Sequence, residues 1–326
     1  MVTSMALLEV KNLVTHFSTL RGPVKAVDGV SFEVEKGEAM GLAGESGCGK
    51  TTVALSILRL LPSAGKIVSG EIIFNGTNVV ELDDNTVRDK IRWSGISLVF
   101  QGAMNALNPV YKIEEQINEA IKQHESTVKK EEARERAKKL FQMVGIEPSR
   151  IDNYPHEFSG GMKQRACIAM ALACNPDLLI ADEPATALDV IIQAQILKLV
   201  RDLKKKLNLA LILITHDLSI IAETCDKVAI MYAGKIVEYG DVSSIFNEPR
   251  HPYAKGLIEA FPNINAPKTS MVSLSGFPPD LLSPPSGCRF HPRCKYAMDI
   301  CKEKEPLTTD VGGKLHRVAC HLVSNA

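Results

Sequence analysis

The stretch Gly44-Glu45-Ser46-Gly47-Cys48-Gly49-Lys50-Thr51 decides how this chain is read. An apolar run, Ala39 to Ala43, leads into it, and a helix-compatible segment, Thr52 to Leu61, follows. Strand, glycine loop and helix in that order are the setting in which this spacing binds phosphate. The glycines let successive backbone N–H groups turn inward around phosphate oxygens, and the helix start adds the positive end of its dipole. Lys50 supplies a mobile point charge for the outer phosphates, and Thr51 a hydroxyl for Mg²⁺. A glycine-rich turn without chemistry is the competing reading, and both flanks speak against it.

The chain has 326 residues, enough for one large domain with an appendage or two modest ones. Lys plus Arg and Asp plus Glu are both 38, so no global basic excess draws it to nucleic acid. No apolar run reaches the roughly 18 residues of a membrane helix, and the start, Met1 to Asn12, has no signal-peptide core. These features predict a soluble, cytosolic chain that other subunits must bring to any membrane it serves.

Alternating apolar residues predict antiparallel strands over Leu7–Phe17 and Gly29–Val34, with a turn at Arg21-Gly22-Pro23. Phe17 is either a core aromatic or a platform for a base. Residues 70–76 suggest a short strand bounded by glycines, and Ile96–Phe100 is a continuous apolar run that presents Gln101 at its tip. Tyr111 to Gly145 turns helical. Ala133, Ala137, Leu140, Phe141 and Val144 share one face, Glu132 and Arg136 pair four apart on another, and Gly145 closes the segment.

Ser159 is a natural N-cap, and Gly160 and Gly161 leave the first helical turn's N–H groups uncovered, ahead of a stripe of Met162, Ala166, Ala169, Met170 and Ala173. A short buried strand, Leu178–Ala181, ends in Asp182-Glu183-Pro184. Carboxylates at the carboxyl end of a parallel strand sit where open α/β proteins place their chemistry. With a phosphate loop present, the first can hold Mg²⁺ through water and the second can take a proton from an attacking water. An acidic surface turn is the bland alternative. Leu211–Thr215 repeats the pattern and ends at His216, and Val228–Tyr232 with Ile236–Tyr239 reads as a hairpin through Ala233-Gly234.

GESGCGKT, Gln101, SGGMKQR, LLIADEP, Ala187-Leu188-Asp189 and His216 resemble, in order and approximate spacing, the nucleotide-binding domain of ATP-binding cassette (ABC) transporters. The resemblance covers about residues 5–260. It implies an α/β fold with a RecA-like P-loop core, an antiparallel β subdomain and a helical subdomain over about residues 102–173, within a cassette spanning 1–261. It further implies that Phe17 stacks on adenine, that Gly44, Glu45, Ser46, Gly47, Cys48, Gly49, Lys50, Thr51 and Thr52 hold the phosphates, and that Thr51, Gln101 and Asp182 serve Mg²⁺. Glu183 is then the catalytic base and His216 the contact to the γ-phosphate. Ser159, Gly160, Gly161, Met162, Gln164 and Asp189 face the ATP of an opposing subunit. The signature reads Phe158-Ser159-Gly160-Gly161-Met162 where the family more often has LSGGQ.

Residues 102–110 (GAMNALNPV), 249–261 (PRHPYAKGLIEAF) and 284–294 (PPSGCRFHPRC) resemble the peptide/nickel branch of that family. The branch implies import of dipeptides or oligopeptides. GAMNALNP also suits relatives that carry oligosaccharides, so oligosaccharide and nickel cargoes stay open here. The implied partners are a second ATPase subunit, in a heterodimer or homodimer, two membrane permeases and an extracytoplasmic binding protein, with the chain peripheral on the cytoplasmic face. A soluble ABC ATPase of translation or DNA repair is the rival class, but one cassette without an inserted coiled coil or zinc module argues against it.

Residues 262–286 hold six of the 17 prolines, which predicts a non-helical linker to a tail over 287–326. Cys288, Cys294, Cys301 and Cys320 are half of the chain's eight cysteines, separated by five, six and eighteen residues. Clustered thiols in a cytosolic chain suggest metal before disulfide, and the spacing lacks the CxxC knuckles of structural zinc. Four thiolates suit an iron–sulfur cluster, and the branch resemblance implies [4Fe–4S]; zinc, reduced thiols and disulfides remain alternatives. His291, His316 and His321 are possible substitute ligands. Cys167 and Cys174 read as core residues.

Overall fold

The computed structural model describes residues 6–260, 274–312 and 315–324, so part of the predicted linker lies outside the described residues. In chain order the strands are β1 (Leu8–Thr19), β2 (Gly22–Val34), β3 (Ala39–Ala43), β4 (Gly65–Phe74), β5 (Thr77–Asn78), β6 (Ile96–Val99), β7 (Leu178–Asp182), β8 (Ala210–Ile214), β9 (Lys227–Tyr232), β10 (Lys235–Asp241), β11 (Thr308–Asp310) and β12 (His316–Ala319). The helices that matter below are α1 (Lys50–Ile57), α2 (Ile113–His124), α3 (Lys130–Met143), α4 (Gly160–Ala171), α5 (Val190–Leu207) and α6 (Pro252–Glu259). The chain divides into two units, one of Met1–Glu35, Ala39–Val80 and Ile214–Ala326, the other of Lys36–Glu38 and Glu81–Leu213.

In the first unit an antiparallel sheet runs β2-β1-β4-β5. Its apolar alternation changes parity after Val10: Val10 and Leu13 are both buried, and the β1–β2 register shifts between them. The bulge returns the next apolar residue to the core face, which an unbroken pleat would have turned to solvent. β4 starts at Gly65, earlier than the glycine-bounded strand predicted. Gly70 is no boundary; at φ +97 it lies inside β4 against the Asn12 carbonyl, where the β1–β4 register also slips. A glycine inside a strand reads as a stop by sequence and acts here as a bulge partner.

The same unit carries strands in the order β11-β12-β10-β9-β3. β3 and β9 are parallel, with Met40 opposite Lys227, and β9 turns into β10 through Ala233-Gly234 as an antiparallel hairpin. β12 adds antiparallel to β10, placing Glu238 opposite Val318. The cysteine tail is thus stitched into the unit that holds the glycine loop. Residues 274–286 contain neither helix nor strand.

In the second unit β6 and β7 pair in parallel, Ile96 opposite Leu178, with β8 next to β7. The stripe of α3 is buried as predicted: Ala133, Ala137, Leu140 and Phe141 are inside, and Phe141 meets Phe158 edge-on at 6.2 Å. Burying such a ring stabilises by about 1.5–3 kcal/mol, so this stripe anchors the helix. The predicted Glu132–Arg136 pair does not form. Arg136 instead shares its Nη1 between the two carboxylate oxygens of Glu125, at 2.8 and 2.9 Å, because a half-buried charge gains from a carboxylate that folding brings to it and a surface pair four apart offers little. No helix among the described residues is long and apolar enough to cross a membrane.

Candidate nucleotide-binding site

β3 is buried along its whole length and delivers the chain into the loop at Gly44. Gly49, the N-cap of α1, sits at φ 108, and a Cβ there would strike the Ala26 carbonyl. Only glycine permits that approach, and the resulting turn aims the first N–H groups of α1 into the loop. Lys50 is buried to 7% exposure, and its Nζ donates to the carbonyls of Gly44 at 2.7 Å and Glu45 at 3.0 Å. Ser46, Gly47 and Thr51 are exposed, while Cys48 is buried, which pushes its thiol above the ordinary range against the pull of Lys50. A cradle that a side chain would fill, an amine held in it and an exposed hydroxyl fit a magnesium nucleotide. Thr52 lies beside them in the first turn of α1, which begins at Lys50, two residues before the start expected. Phe17 is half-buried on β1, opposite Val24 and Gly65. His216, just past β8, is exposed.

Within the second unit, Asp182 ends β7 and is 2% exposed. Glu183 follows at φ 44, a left-handed backbone that costs a non-glycine residue on the order of 1–3 kcal/mol and is characteristic of functional turns. Its Oε2 accepts from Gln101 Nε2 at 2.9 Å and from Thr186 Oγ1 at 2.9 Å. The strand tips of β6 and β7 therefore bring Gln101 and Glu183 together, as two polar side chains at adjacent strand ends should be. Ser159 caps α4 with its Oγ accepting from Met162 N–H, the cap predicted from sequence. Gly160 is exposed, Gly161 and Met162 are half-buried and Gln164 is buried. Asp189 caps α5 by accepting from Ile192 N–H at 3.0 Å, a capping duty that sequence reading did not assign to it.

The tail is more ordered around its cysteines than a loop reading suggests. All eight cysteines are unbridged. Burial pushes the Cys288 thiol up to about 11, with the charges of Cys320, Cys301 and Cys294 adding to it. Burial raises Cys294 and Cys320 as well. Among the described residues no three His, Cys, Asp or Glu side chains gather closely enough to hold a single metal ion, so the zinc alternative gains no geometric support and the iron–sulfur expectation gains none from ligand placement. The substitute histidines are engaged elsewhere: His316 Nε2 meets Glu238 at 2.6 Å, His321 Nε2 the Lys304 carbonyl at 2.9 Å, and His291 Nδ1 the Cys288 carbonyl at 2.9 Å. Cys167 and Cys174 are buried core thiols as expected, donating to the carbonyls of Ala103 and Ala120.

Sequence reasoning missed the groups that brace the loop from outside. Tyr253 of α6 accepts the Glu45 N–H at 3.0 Å, and Arg293 forks onto the Glu45 carboxylate at 2.7 and 2.9 Å. The partners are 208 and 248 residues apart, and no local spacing signals them.

A buried parallel strand feeding a glycine loop and helix in one unit, and an acidic pair at the tip of a parallel strand in the other, define a P-loop nucleotide-binding α/β protein. A family model described as "ABC transporter" matches residues 27–186, and one described as "Oligopeptide/dipeptide transporter, C-terminal region" matches residues 237–301. The chain is 45% identical to the dipeptide transport ATP-binding protein DppD of Haemophilus influenzae over 98% of this chain and 97% of that one. It is 47% identical to the oligopeptide transport ATP-binding protein OppD of Bacillus subtilis over 94% of this chain and 86% of that one. Among solved structures, the ATP-binding cassette MJ0796, a dimer in a post-hydrolysis state bound to ADP and Pi, superposes with a TM-score of 0.64 at 27% identity, covering 72% of this chain and 98% of that one. CbiO1 from Clostridium perfringens, part of the ABC transporter complex cbiONQ, gives the same TM-score at 27% identity over 74% of this chain and 91% of its own. The chain belongs to the ABC transporter family, as an ATPase of its oligopeptide/dipeptide transport group.

Proposed function

We propose that this chain hydrolyses ATP to power import of dipeptides or oligopeptides through a membrane transporter, working from the cytoplasmic face. The observation that carries the reading is the likeness to peptide-transport ATP-binding proteins at 45–47% identity across nearly the whole chain, cassette and C-terminal region alike. That breadth favours peptide over oligosaccharide or nickel cargo. Its partners are a second ATPase subunit, two permeases and a binding protein outside the membrane. Residues 1–261 form the cassette, with 287–326 as a cysteine tail joined by the proline-rich segment.

In this reading Gly44 to Thr52 bind the phosphates through backbone N–H groups, and Lys50 neutralises the outer ones. Phe17 stacks on the base. Thr51, Gln101 and Asp182 hold Mg²⁺, which supplies charge neutralisation on the transferred phosphoryl group. Glu183 accepts a proton from the attacking water, and the bonds from Gln101 and Thr186 hold its carboxylate in one orientation while it waits. His216 contacts the γ-phosphate. Ser159, Gly160, Gly161, Met162, Gln164 and Asp189 serve the nucleotide of the opposing subunit, so two ATP molecules join the dimer and hydrolysis releases it.

We further propose a [4Fe–4S] cluster on Cys288, Cys294, Cys301 and Cys320. The support is the all-thiol donor set, four unbridged cysteines within one short tail. Anaerobically purified chain then carries iron and sulfide near four each; stoichiometric zinc without iron refutes the cluster. For the cargo, a strain lacking this chain should lose uptake of labelled dipeptides or oligopeptides and keep that of oligosaccharides and Ni²⁺. Unchanged peptide uptake with loss of either other cargo would reject the assignment.

A further inference from the structure

We propose that the segment Cys288–Cys294 is a clamp on the nucleotide loop, with Arg293 as the positioning residue for Lys50. The inference rests on the reading of that loop as an ATP site.

Three side chains between the two cysteines reach the loop or its supports. Arg293, its side chain 7% exposed, grips Glu45 with two parallel bonds and also donates to Tyr232 Oη at 3.3 Å. Phe290 packs edge-on against Tyr232 at 5.1 Å and tilted against Tyr253 at 5.4 Å. Tyr253 in turn accepts the Glu45 N–H. Arg289 bonds Asp28 on β2 and the Ala233 carbonyl in the hairpin turn whose Gly234 N–H donates to the Cys48 carbonyl at 2.9 Å.

The consequence falls on the lysine. Glu45 is held at its carboxylate by Arg293 and at its N–H by Tyr253, and its carbonyl is one of the two acceptors of Lys50 Nζ. Fixing the Glu45 side chain and amide therefore fixes the carbonyl that sets where the ammonium rests. A bidentate, largely desolvated arginine fork is rigid enough to transmit that constraint, unlike a solvated lysine pair. Arg293 acts on Lys50 through Glu45.

The test is the dissociation constant of a fluorescent ATP analogue on the full chain, with thermal unfolding and metal content measured for each variant. Arg293→Gln should weaken binding about tenfold, equivalent to about 1.4 kcal/mol, with Glu45→Gln matching it because it removes the same bond from the loop side. Arg293→Lys, keeping one of two contacts, should recover part of the loss. The double variant should be no weaker than either single. Arg293→Gln or Glu45→Gln binding within twofold of wild type overturns the clamp, as does a double variant near a hundredfold, since independent effects multiply. If Arg293→Gln does not fold, Glu45→Gln, which leaves the tail intact, decides alone by the same tenfold-against-twofold criterion. Wild-type chain that binds no ATP analogue would instead sink the reading of the loop and the clamp with it.

Discussion

Glu183→Gln removes a proton acceptor while keeping its shape. The Glu183 carboxylate receives bonds from Gln101 and Thr186 on the same oxygen, Oε2, each at 2.9 Å. A glutamine carbonyl oxygen at that place accepts both, so the turn and the side-chain rotamer persist. What changes is the charge on the acceptor, which weakens two charge-assisted bonds to ordinary ones at a cost of about 1–2 kcal/mol in stability. The backbone strain at φ 44 is the same in both, because it belongs to the position. Loss of a general base removes about 10²–10⁴ in rate, or about 3–5 kcal/mol of transition-state stabilisation. The variant in its assembled transporter should therefore keep ATP affinity within about threefold and hydrolyse it at least about a hundredfold more slowly. Single-turnover hydrolysis and nucleotide binding, measured side by side, separate the two. Turnover within tenfold of wild type would refute Glu183 as the base, whatever the binding data say.

Three further outcomes follow from the packing. Glu238 is fully buried and accepts from Arg250 N–H, His251 N–H and the His316 ring, so Glu238→Ala strands all three and should destabilise the first unit by about 3–5 kcal/mol in denaturant unfolding; a loss under about 1 kcal/mol contradicts it. Burial lowers His251 from 6.5 to about 3, so the unfolded chain binds the extra proton first and stability falls as pH drops below about 6.5, by up to about 1.4 kcal/mol per unit. His251→Asn, which can still accept the Tyr253 N–H, should flatten that slope between pH 6 and 4.5 in denaturation titrations, a range set by the same linkage at about the same steepness. Gly49→Ala should cost the nucleotide site most of its affinity, since the added methyl meets the Ala26 carbonyl at a φ of 108; wild-type affinity in a filter-binding assay would show that the loop tolerates rearrangement.

What the sequence made legible was local. The loop from Gly44 to Thr51 announces itself because phosphate binding needs glycines, lysine and hydroxyl at fixed short spacings, and the caps at Ser159 and strand tips at Asp182 and Glu183 follow from single segments. The α3 stripe was readable by its helical period. The Arg136 partner was not, because two candidate carboxylates differ only in geometry that folding creates. The start of β4 was misjudged, since Gly70 could be a terminus or a bulge and only its neighbour Asn12 decides. Arg293, Tyr253 and Glu238 escaped notice for a stronger reason: their partners lie outside any local spacing, and a charged residue in the cysteine tail reads as solvated until its partners are seen.

The division of the chain carries a consequence for how the protein is made. The second unit is almost one continuous stretch, Glu81–Leu213, whereas the first closes only when distant segments meet: Ala39 donates to Asp226, 187 residues on, and Glu45 waits for Arg293. Contacts at such separations are slow to form because loop closure precedes their reward. On the ribosome the second unit can condense first, while β3 and the glycine loop, synthesised early, stay without β9 and the tail until nearly all the chain has emerged. The segment that reads most plainly as finished in the sequence is thus among the last to reach its final shape.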